Sequence, residues 1–169
     1  MADVVSKEKR SQMMSGIRGK DTGIEVDVRR FLHKSGLRFR LHARDLPGRP
    51  DIVLPKYEAV VEVNGCFWHR HDCQLFRLPG SNTDFWEKKL NGNRERDVRN
   101  REALERAGWR VLTVWECAMK LTHASDSELS DLTVGWVRTG NRSGDIKSLE
   151  GNVVLVETTS IGDVECDGA

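Results

Sequence analysis

The sequence lacks any apolar run long enough to cross a membrane. A membrane-spanning helix needs about 20 consecutive apolar residues, whereas 27 basic and 26 acidic side chains are spread along the 169 residues of this chain. The N-terminal segment also lacks the apolar core of a secretory signal. These two absences favour a cytoplasmic protein over a membrane or secreted one.

Cysteine is scarce, with four residues in the chain. A chain of this length forms one ordinary domain and buries a core without disulfide bonds. Cys66 and Cys73 stand among histidines, which favours metal binding by thiolates over disulfide formation. Cys166 lies in an acidic segment, and the sequence gives it no role.

The net charge of +1 conceals an uneven distribution. Residues 1–120 hold 24 Lys and Arg against 17 Asp and Glu, a net charge of +7, whereas residues 121–169 hold 3 against 9, a net charge of −6. A basic body is the expected footprint of a protein that binds a polyanion. The distribution therefore indicates a basic body followed by an acidic extension.

Helical and strand patterns alternate along the chain, which predicts an α/β fold. Asp21 is the predicted N-cap of a helix that Gly36 ends, and residues 4–20 are predicted to form a mobile or weakly helical arm. The later predicted elements are strands at 37–42, 51–54 and 58–65, helices at 84–90 and 93–107, a central strand at 109–117, a short helix at 129–136, a linker near 139–151 and a strand at 152–158.

Acidic residues are concentrated on the hairpin of the second and third strands. Alternation places Glu62 and Asn64 on one face, and the hairpin brings Asp51 alongside them. Convergent carboxylates suit Mg²⁺, which polarises a phosphate and lowers the pKa of an attacking water. The order Pro50-Asp51, then Glu62-Val63-Asn64, resembles the restriction-endonuclease signature of Pro-Asp, then Glu or Asp, any residue and Lys. We therefore expect a metal-dependent phosphodiesterase site.

A second cluster combines sulfur and imidazole. Cys66, His71, Cys73 and Cys117 supply a ligand set suited to a closed tetrahedral zinc site. A closed site has no open position for catalysis, so the expected role of zinc is structural. Spacing alone does not distinguish His69 from His71 as the ligand. Reduced core cysteines beside exposed histidines are the alternative.

Two aromatic pairs flank this cluster. Phe67 and Trp68 follow Cys66 directly, in a segment where large rings have little room to be buried. Rings inserted between base steps unstack and kink DNA, most cheaply where base pairing is already faulty. Such a wedge predicts a preference for mismatched DNA. For Phe85, beside Trp86, ordinary core packing is the expected role.

The combined motifs resemble one family, the very-short-patch repair endonucleases. The resemblance covers roughly residues 1–120 and is carried by LPGRPD, NGCFWHRHDC, TDFWEKK, ERD and GWRVLTVWEC. It implies a restriction-endonuclease-like fold, with a mixed central sheet flanked by helices and a structural zinc site. It also implies an enzyme that nicks one strand of double-stranded DNA next to a T:G mismatch left by 5-methylcytosine deamination. The implied divisions are a DNA-contacting arm at 1–20, an endonuclease domain at 21–120 and an acidic extension of unknown role at 121–169.

The resemblance also implies roles for individual residues. Asp51 is the principal Mg²⁺ ligand with the Val63 carbonyl as a second contact, His69 and Asp97 are catalytic, and Glu25 holds water beside the metal. The implied zinc ligands are Cys66, His71, Cys73 and Cys117. The implied DNA contacts are Met14 of the arm on the minor-groove side and, on the major-groove side, the wedge of Phe67, Trp68 and Trp86. Lys89 and Asn93, on or beside these motifs, complete the predicted DNA-binding set.

Two positions depart from the best-known form of the family. That form has a histidine in place of Asn64 and an apolar residue in place of Glu62. An amide does not accept a proton at neutral pH, so we predict that Glu62 adds a Mg²⁺ ligand within the catalytic set and that His69 assists water activation. The expected reaction is hydrolysis of one phosphodiester by a monomer, with one or two Mg²⁺ ions, leaving 5′-phosphate and 3′-hydroxyl ends.

Two rival interpretations remain from the sequence. A restriction endonuclease of similar fold would cut both strands of intact duplex. A zinc-stabilised DNA-binding module would bind without cleaving. A zinc deaminase is disfavoured, because the sequence contains neither His-x-Glu nor Pro-Cys-x-x-Cys.

Overall fold

A computed structural model describes residues 6–16, 22–122, 125–140 and 142–158. Over these residues, six strands form one sheet in the order β1-β2-β3-β4-β5-β6. The strands are β1 (Arg40–Leu41), β2 (Ile52–Leu54), β3 (Ala59–Asn64), β4 (Arg110–Trp115), β5 (Gly144–Leu149) and β6 (Asn152–Glu157). The helices are α1 (Lys7–Ser15), α2 (Gly23–Lys34), α3 (Thr83–Arg106), α4 (Glu116–Lys120) and α5 (Asp126–Thr139).

The sheet is mixed, as the sequence predicts. Strands β1, β2 and β3 form an antiparallel meander. The chain then crosses through α3 so that β4 runs parallel to β3, and through α4 and α5 so that β5 runs parallel to β4. An antiparallel hairpin of β5 and β6 completes the sheet. The predicted α/β class and the central position of β4 are confirmed.

The two faces of the sheet are covered by different helices. On one face, Val28 and Leu32 of α2 and Trp136 of α5 pack with strand residues into the larger apolar core. On the other face, Leu104 of α3 packs on Val60, Val111 and their neighbours in a smaller cluster. Because both faces are covered, the middle strands carry almost continuous apolar runs. No helix within the described residues is long and apolar enough to cross a membrane.

Helix α2 begins one residue later than the sequence suggested. Thr22, not Asp21, is the N-cap, and its hydroxyl accepts a hydrogen bond from the Glu25 backbone N–H at 3.4 Å. The same hydroxyl donates to the Glu25 carboxylate at 3.2 Å, so this end resembles a capping box. Gly36 follows the helix with a φ of +80°, which confirms the predicted stop. Asp21 lies outside the described residues.

Two predicted elements have different lengths in the structure. The helices predicted at 84–90 and 93–107 are one continuous helix, α3, because a single interior Gly92 costs only about 1 kcal/mol and does not break it. The strand predicted at 37–42 shrinks to the two residues of β1. His42, with a φ of +46°, ends it.

The chain beyond residue 120 is built into the sheet. Its predicted helix and last strand are confirmed as α5 and β6. The prediction of a linker near 139–151 is wrong for residues 144–149, which form β5 and pair with β4. The Gly and Ser content of this segment concealed a strand whose Ile146 is fully buried. Residues on both sides of position 120 therefore share one sheet and one core.

Candidate active site and metal centre

One polar cleft gathers the predicted catalytic residues. It has a volume of about 600 Å³ and lies at the ends of β2 and β3, between α2 and α3. All six predicted catalytic side chains line it, namely Glu25, Asp51, Glu62, Asn64, His69 and Asp97. The convergence of Asp51, Glu62 and Asn64 that strand alternation predicts is therefore observed.

Asp51 lies immediately before β2 and faces the cleft. Its Oδ2 accepts a hydrogen bond from the Val63 backbone N–H at 2.9 Å, which fixes the carboxylate against β3. Burial raises the pKa of Asp51, and the negative charge of Glu25 acts in the same direction, while the Val63 hydrogen bond opposes both. A carboxylate that is costly to ionise in isolation gains from a bound cation.

Glu62 occupies the adjacent strand. Burial raises the pKa of Glu62 to about 7, and the nearby charges of Asp51 and Asp97 add to the increase. Three acids around one small volume repel one another unless a positive ion or a proton lies between them. The electrostatics of the cleft thus favour a bound cation.

His69 and Asp97 form a close pair across the cleft. The Nδ1 atom of His69 lies 2.5 Å from Oδ2 of Asp97, and α3 carries the aspartate into this position. A carboxylate bonded to Nδ1 fixes the tautomer and leaves Nε2 as the nitrogen that exchanges protons. Asn64, at the end of β3, is only 9% exposed beside this pair.

The structure adds two residues that the sequence analysis missed. The Nη2 atom of Arg29 donates to Glu25 at 2.9 Å and lies 3.1 Å from Nε2 of His42. Arginine only donates hydrogen bonds, so His42 accepts at Nε2 and carries its proton on Nδ1 when neutral. That Nδ1 lies 3.8 Å from Oδ1 of Asp51. The Glu25-Arg29 spacing of four residues on a helix was the available signal, whereas nothing local indicated His42.

Gly48 of the LPGRPD motif lets the loop before β2 approach α3. Its φ is +72°, and a Cβ atom at this position would lie 2.8–2.9 Å from atoms of the Asn100 side chain. Only glycine fits both the backbone angle and this spacing. The motif therefore holds Asp51 at a fixed distance from the helix that carries Asp97.

The Cys/His cluster adjoins the cleft. One donor atom from each of its four residues, Cys66, His71, Cys73 and Cys117, lies within 4.8 Å of all the others. The His71 Nδ1 atom is 3.5 Å from the Cys66 sulfur and 3.6 Å from the Cys117 sulfur. Zinc bonds of about 2.0–2.3 Å to nitrogen and sulfur place tetrahedral donors at about these separations. The cluster can hold a metal ion, and its histidine is His71, while His69 faces the cleft.

The surroundings of the cluster favour a thiolate at Cys117, whereas the hydrogen bond to Cys117 and burial raise the pKa of the Cys66 thiol. A hydrogen bond from the Cys66 thiol lowers the pKa of the Cys117 thiol, and His71 acts in the same direction. The His71 ring stacks on Trp115 with centroids 4.0 Å apart and planes 10° apart. The backbone N–H of Ser148 donates to the Cys117 sulfur at 3.4 Å. The imidazole and one sulfur are thus oriented by neighbours on β4 and β5.

The predicted wedge residues form one partly exposed aromatic surface. The ring centroid of Phe67 lies 5.1 Å from that of Trp68 and 5.6 Å from that of Trp86. Phe85 was expected in the core, but it is 57% exposed and contacts Trp86 at 5.4 Å. It lies in the first turn of α3, whose buried residues, Leu90 and Leu104, come later along the helix. The surface therefore has one ring more than predicted.

Two of the remaining predicted DNA contacts, Lys89 and Asn93, border this surface. The ammonium group of Lys89 lies 5.5–5.7 Å from the ring centroids of Trp68, Phe85 and Trp86. Asn93 donates from Nδ2 to the backbone carbonyl of Trp68 at 3.0 Å, which makes it a support for the loop. Met14 lies in α1, but its side chain is outside the described part of the chain.

Comparisons with known proteins place the chain in a family. The model of the DNA mismatch endonuclease Vsr family matches residues 2–75. The chain is 46% identical over 132 residues to the type II nicking enzyme V.XorIIP of Xanthomonas oryzae pv. oryzae, covering 78% of this chain and 97% of that protein. It is 44% identical over 138 residues to the DNA mismatch endonuclease Vsr of Escherichia coli, covering 81% and 88%. It is 47% identical over 120 residues to the type II nicking enzyme V.NmeAIP of Neisseria meningitidis, covering 71% and 86%. The chain belongs to the Vsr family of DNA mismatch endonucleases.

Proposed function

We propose that this protein is a Mg²⁺-dependent DNA mismatch endonuclease that nicks one strand of double-stranded DNA next to a T:G mismatch. The observation that carries the proposal is the convergence of Asp51, Glu62 and the His69–Asp97 pair in one open cleft. Membership of the Vsr family supports the reaction class. The T:G preference and the metal requirement come from the family resemblance of the motifs.

The acids of the cleft fit a hard divalent cation. Asp51 and Glu62 would supply carboxylate oxygens, and the backbone carbonyl of Val63 would add a third oxygen, which is the donor type that Mg²⁺ prefers. When bound, Mg²⁺ supplies positive charge that polarises the scissile phosphate and acidifies a nearby water. Glu25, 4% exposed at the back of the cleft, would accept a hydrogen bond from water there.

Proton transfer falls to the His69–Asp97 pair. Asp97 holds Nδ1 of His69, so Nε2 would take or deliver the proton of the reacting water. Asn64 beside them does not accept a proton at neutral pH, and its amide would orient water or phosphate oxygen by hydrogen bonds. In this proposal the acids and their bound cation stabilise charge, and one histidine transfers the proton.

The aromatic surface would open the base step beside the cut. Rings of Phe67, Trp68 and Trp86, with Phe85 at the edge, offer several faces for inserted or unstacked bases. Lys89 above these rings would contact the phosphate backbone. Unstacking costs least at a mismatch, so the same surface favours mismatched over intact DNA.

The finer assignments complete the proposal. Zinc would occupy the Cys/His cluster as a structural ion, and the sheet with acids on β2 and β3 would be of the restriction-endonuclease type. Residues 1–20 would contact DNA as an arm, with Met14 in the minor groove, and residues 21–120 would carry the endonuclease site. A monomer would suit an asymmetric lesion. The protein would act in the cytoplasm.

A nicking assay on zinc-loaded protein tests the function. Labelled duplexes with one T:G pair and matched T:A duplexes are incubated with Mg²⁺ or without it. We expect one-strand cleavage of the T:G duplex only, dependent on Mg²⁺ and abolished by Asp51→Ala, while Asp45→Ala, an exposed acid on the preceding loop, cleaves normally. Glu62→Ala with an undiminished rate would reject its role as a metal ligand.

The same assay separates the rival functions. Cleavage of both strands of the T:A duplex would identify a restriction endonuclease. Tight binding of either duplex with no Mg²⁺-dependent cleavage would identify a DNA-binding module without catalysis.

A further inference from the structure

Asp145 on β5 lies at a junction of three elements. Its Oδ1 accepts a hydrogen bond from Nε1 of Trp115 on β4 at 3.0 Å. Both of its carboxylate oxygens lie 3.3 Å from Nη1 of Arg101 on α3. The side chains of Arg101 and Asp145 are only 21% and 18% exposed, so water screens this ion pair less than one on the open surface. Asp145 therefore ties β4, β5 and α3 together with charge-assisted bonds.

On the Trp115 side, the connection leads to the Cys/His cluster. The Trp115 ring lies flat against His71 at 4.0 Å, and the hydrogen bond to Asp145 fixes the rotation of that ring. Three residues further on, β5 also touches the cluster, because the N–H of Ser148 donates to the Cys117 sulfur. One strand thus contacts one ligand directly and a second through a single ring.

On the Arg101 side, the connection leads to the catalytic pair. Arg101 lies one helical turn after Asp97, the partner of His69. Its guanidinium also donates to the Gly144 carbonyl at 3.4 Å, to the Thr158 hydroxyl at 3.1 Å and to Glu105 at 3.4 Å. Most of the donors on this side chain are therefore used to hold α3 against the residues after position 120.

The two connections meet around one small cavity. It has a volume of about 370 Å³, and both histidines of the loop line it, together with Asp97, Arg101 and Trp115. Since His69 and His71 are two residues apart in one loop, a shift of Asp97 or of Trp115 would move that loop. A single carboxylate on β5 is placed to control both positions.

We propose that Asp145 is a positioning residue for both centres. Through Trp115 it holds the imidazole of His71 at the metal cluster, and through Arg101 it holds the helical turn that carries Asp97. The acidic region after residue 120 thereby has a role in the site, although its negative charge repels DNA. This inference rests on the proposed function for its activity measurement and on the metal cluster alone for its spectroscopic one.

Three variants test the inference in the full-length protein. Asp145→Ala removes both contacts, Asp145→Asn keeps an amide oxygen for the Trp115 N–H, and Asp131→Asn removes an equal charge from an exposed site on α5. Zinc affinity is measured by competition with a chromophoric chelator, and the ligand geometry by the visible absorption of Co²⁺-loaded protein. Nicking of a T:G duplex is followed under single-turnover conditions.

We expect Asp145→Ala to lower zinc affinity by about 10-fold and the nicking rate by about 10-fold, as the loss of a partner that orients a ligand does elsewhere. Its Co²⁺ absorption bands should shift. Asp145→Asn should lose a few-fold in zinc affinity at most, by retention of the acceptor, and Asp131→Asn should match the wild type. A purely structural role would lower stability but leave the Co²⁺ bands in place, and that result would overturn the proposal.

A second background tests the path through Trp115. Trp115→Phe keeps a ring against His71 but removes the N–H group, so Asp145→Ala in this background should cause little further loss of zinc affinity while still slowing nicking through Arg101. An equal loss of zinc affinity in both backgrounds would contradict the path. Wild-type protein that binds Co²⁺ but does not nick would reject the proposed function and leave the metal measurement decisive. Wild-type protein that binds no Co²⁺ would overturn the inference.

Discussion

The cleft around Asp51 and the cluster around Cys66 adjoin along one segment of chain, but their donor atoms and exposure differ. The cleft presents carboxylate oxygens to an open volume of about 600 Å³. The cluster presents three sulfurs and one imidazole nitrogen, with Cys66 and Cys117 fully buried. Oxygen donors at an open site suit Mg²⁺ and exchange with water, whereas sulfur and nitrogen donors at a closed site suit zinc in a structural role.

The contrast is sharpest between two histidines of one loop. His69 pairs with Asp97 in the cleft, while His71 lies between two sulfurs and stacks on Trp115. Identical side chains two residues apart therefore have different chemistry because different elements meet each ring. Neighbours from α3 and β4, distant in sequence, place His69 beside a carboxylate and His71 beside sulfurs, which is the difference that the proposed roles in proton transfer and metal binding require.

Replacing each of the two histidines by alanine should have the largest effect, on the nicking rate for one and on zinc affinity for the other. We expect His69→Ala to lower the nicking rate by about 10²–10⁴-fold, the usual contribution of general acid–base catalysis, with zinc binding unchanged. His71→Ala should instead lower zinc affinity and the midpoint of thermal unfolding, since it removes a ligand. Single-turnover nicking and bound zinc are measured on the same samples.

The exposed His33 on α2 provides the control, and His33→Ala should match the wild type in both measurements. Loss of zinc on His69→Ala, or full zinc binding by His71→Ala, would show that the two sites are not separate.

Titration of Glu62 should have an intermediate effect, on the pH dependence of the free energy of unfolding. Its pKa is raised to about 7 from an ordinary value of 4.5, so its favourable contribution to stability is complete below pH 4.5 and is lost as the pH rises through 7. In zinc-loaded protein without Mg²⁺, Glu62→Gln should be relatively more stable at high pH, by up to about 3 kcal/mol. Urea unfolding between pH 5 and 8 in both proteins measures the difference.

Glu95→Gln, an exposed change on α3, serves as the matched control and should follow the wild-type curve. Added Mg²⁺ should flatten the wild-type pH dependence, because a cation in the cleft stabilises the ionised carboxylates. A gap between Glu62→Gln and wild type that stays constant with pH would reject the raised pKa.

The smallest expected effect concerns His42. His42→Ala removes the group between Arg29 and Asp51, and we expect Mg²⁺ to bind about 10-fold more weakly with zinc affinity unchanged. His42→Gln should retain more affinity, because its amide can both accept from Arg29 and donate toward Asp51. The Mg²⁺ dependence of the nicking rate gives the affinity. Equal dependence in wild type and His42→Ala would exclude a role of His42 in Mg²⁺ binding.

Local patterns predicted the parts of the site that lie within single elements. Alternation along β3 and the return of the hairpin predict Asp51 beside Glu62 and Asn64, and the structure brings all three into the cleft. An apolar run predicted β4, and residue type predicted the cysteines of the metal cluster, while the spacing left His69 and His71 open as the fourth ligand. These features depend on neighbours in sequence or on residue type, which a sequence displays directly.

The sequence did not predict contacts between elements that are far apart along the chain. His42, the residue of positive φ that ends β1, lies against Arg29 and Asp51. Asp145 lies against Arg101 because residues 144–149 form a strand and not the predicted linker. No periodicity marks such pairs. The prediction that Phe85 lies in the core is wrong for a related reason, since its burial depends on which face of α3 meets the sheet.

The central claim is that Asp51 holds a divalent cation in the cleft while zinc occupies the separate Cys/His cluster. Crystals of the zinc-loaded protein soaked in Mn²⁺, a substitute for Mg²⁺, test it through anomalous scattering at the manganese and zinc absorption edges. The account predicts a manganese peak within bonding distance of the Asp51 carboxylate and a zinc peak among Cys66, His71, Cys73 and Cys117. Manganese bound only at the cysteines, or zinc bound at Asp51 with the cysteines free of metal, would contradict it.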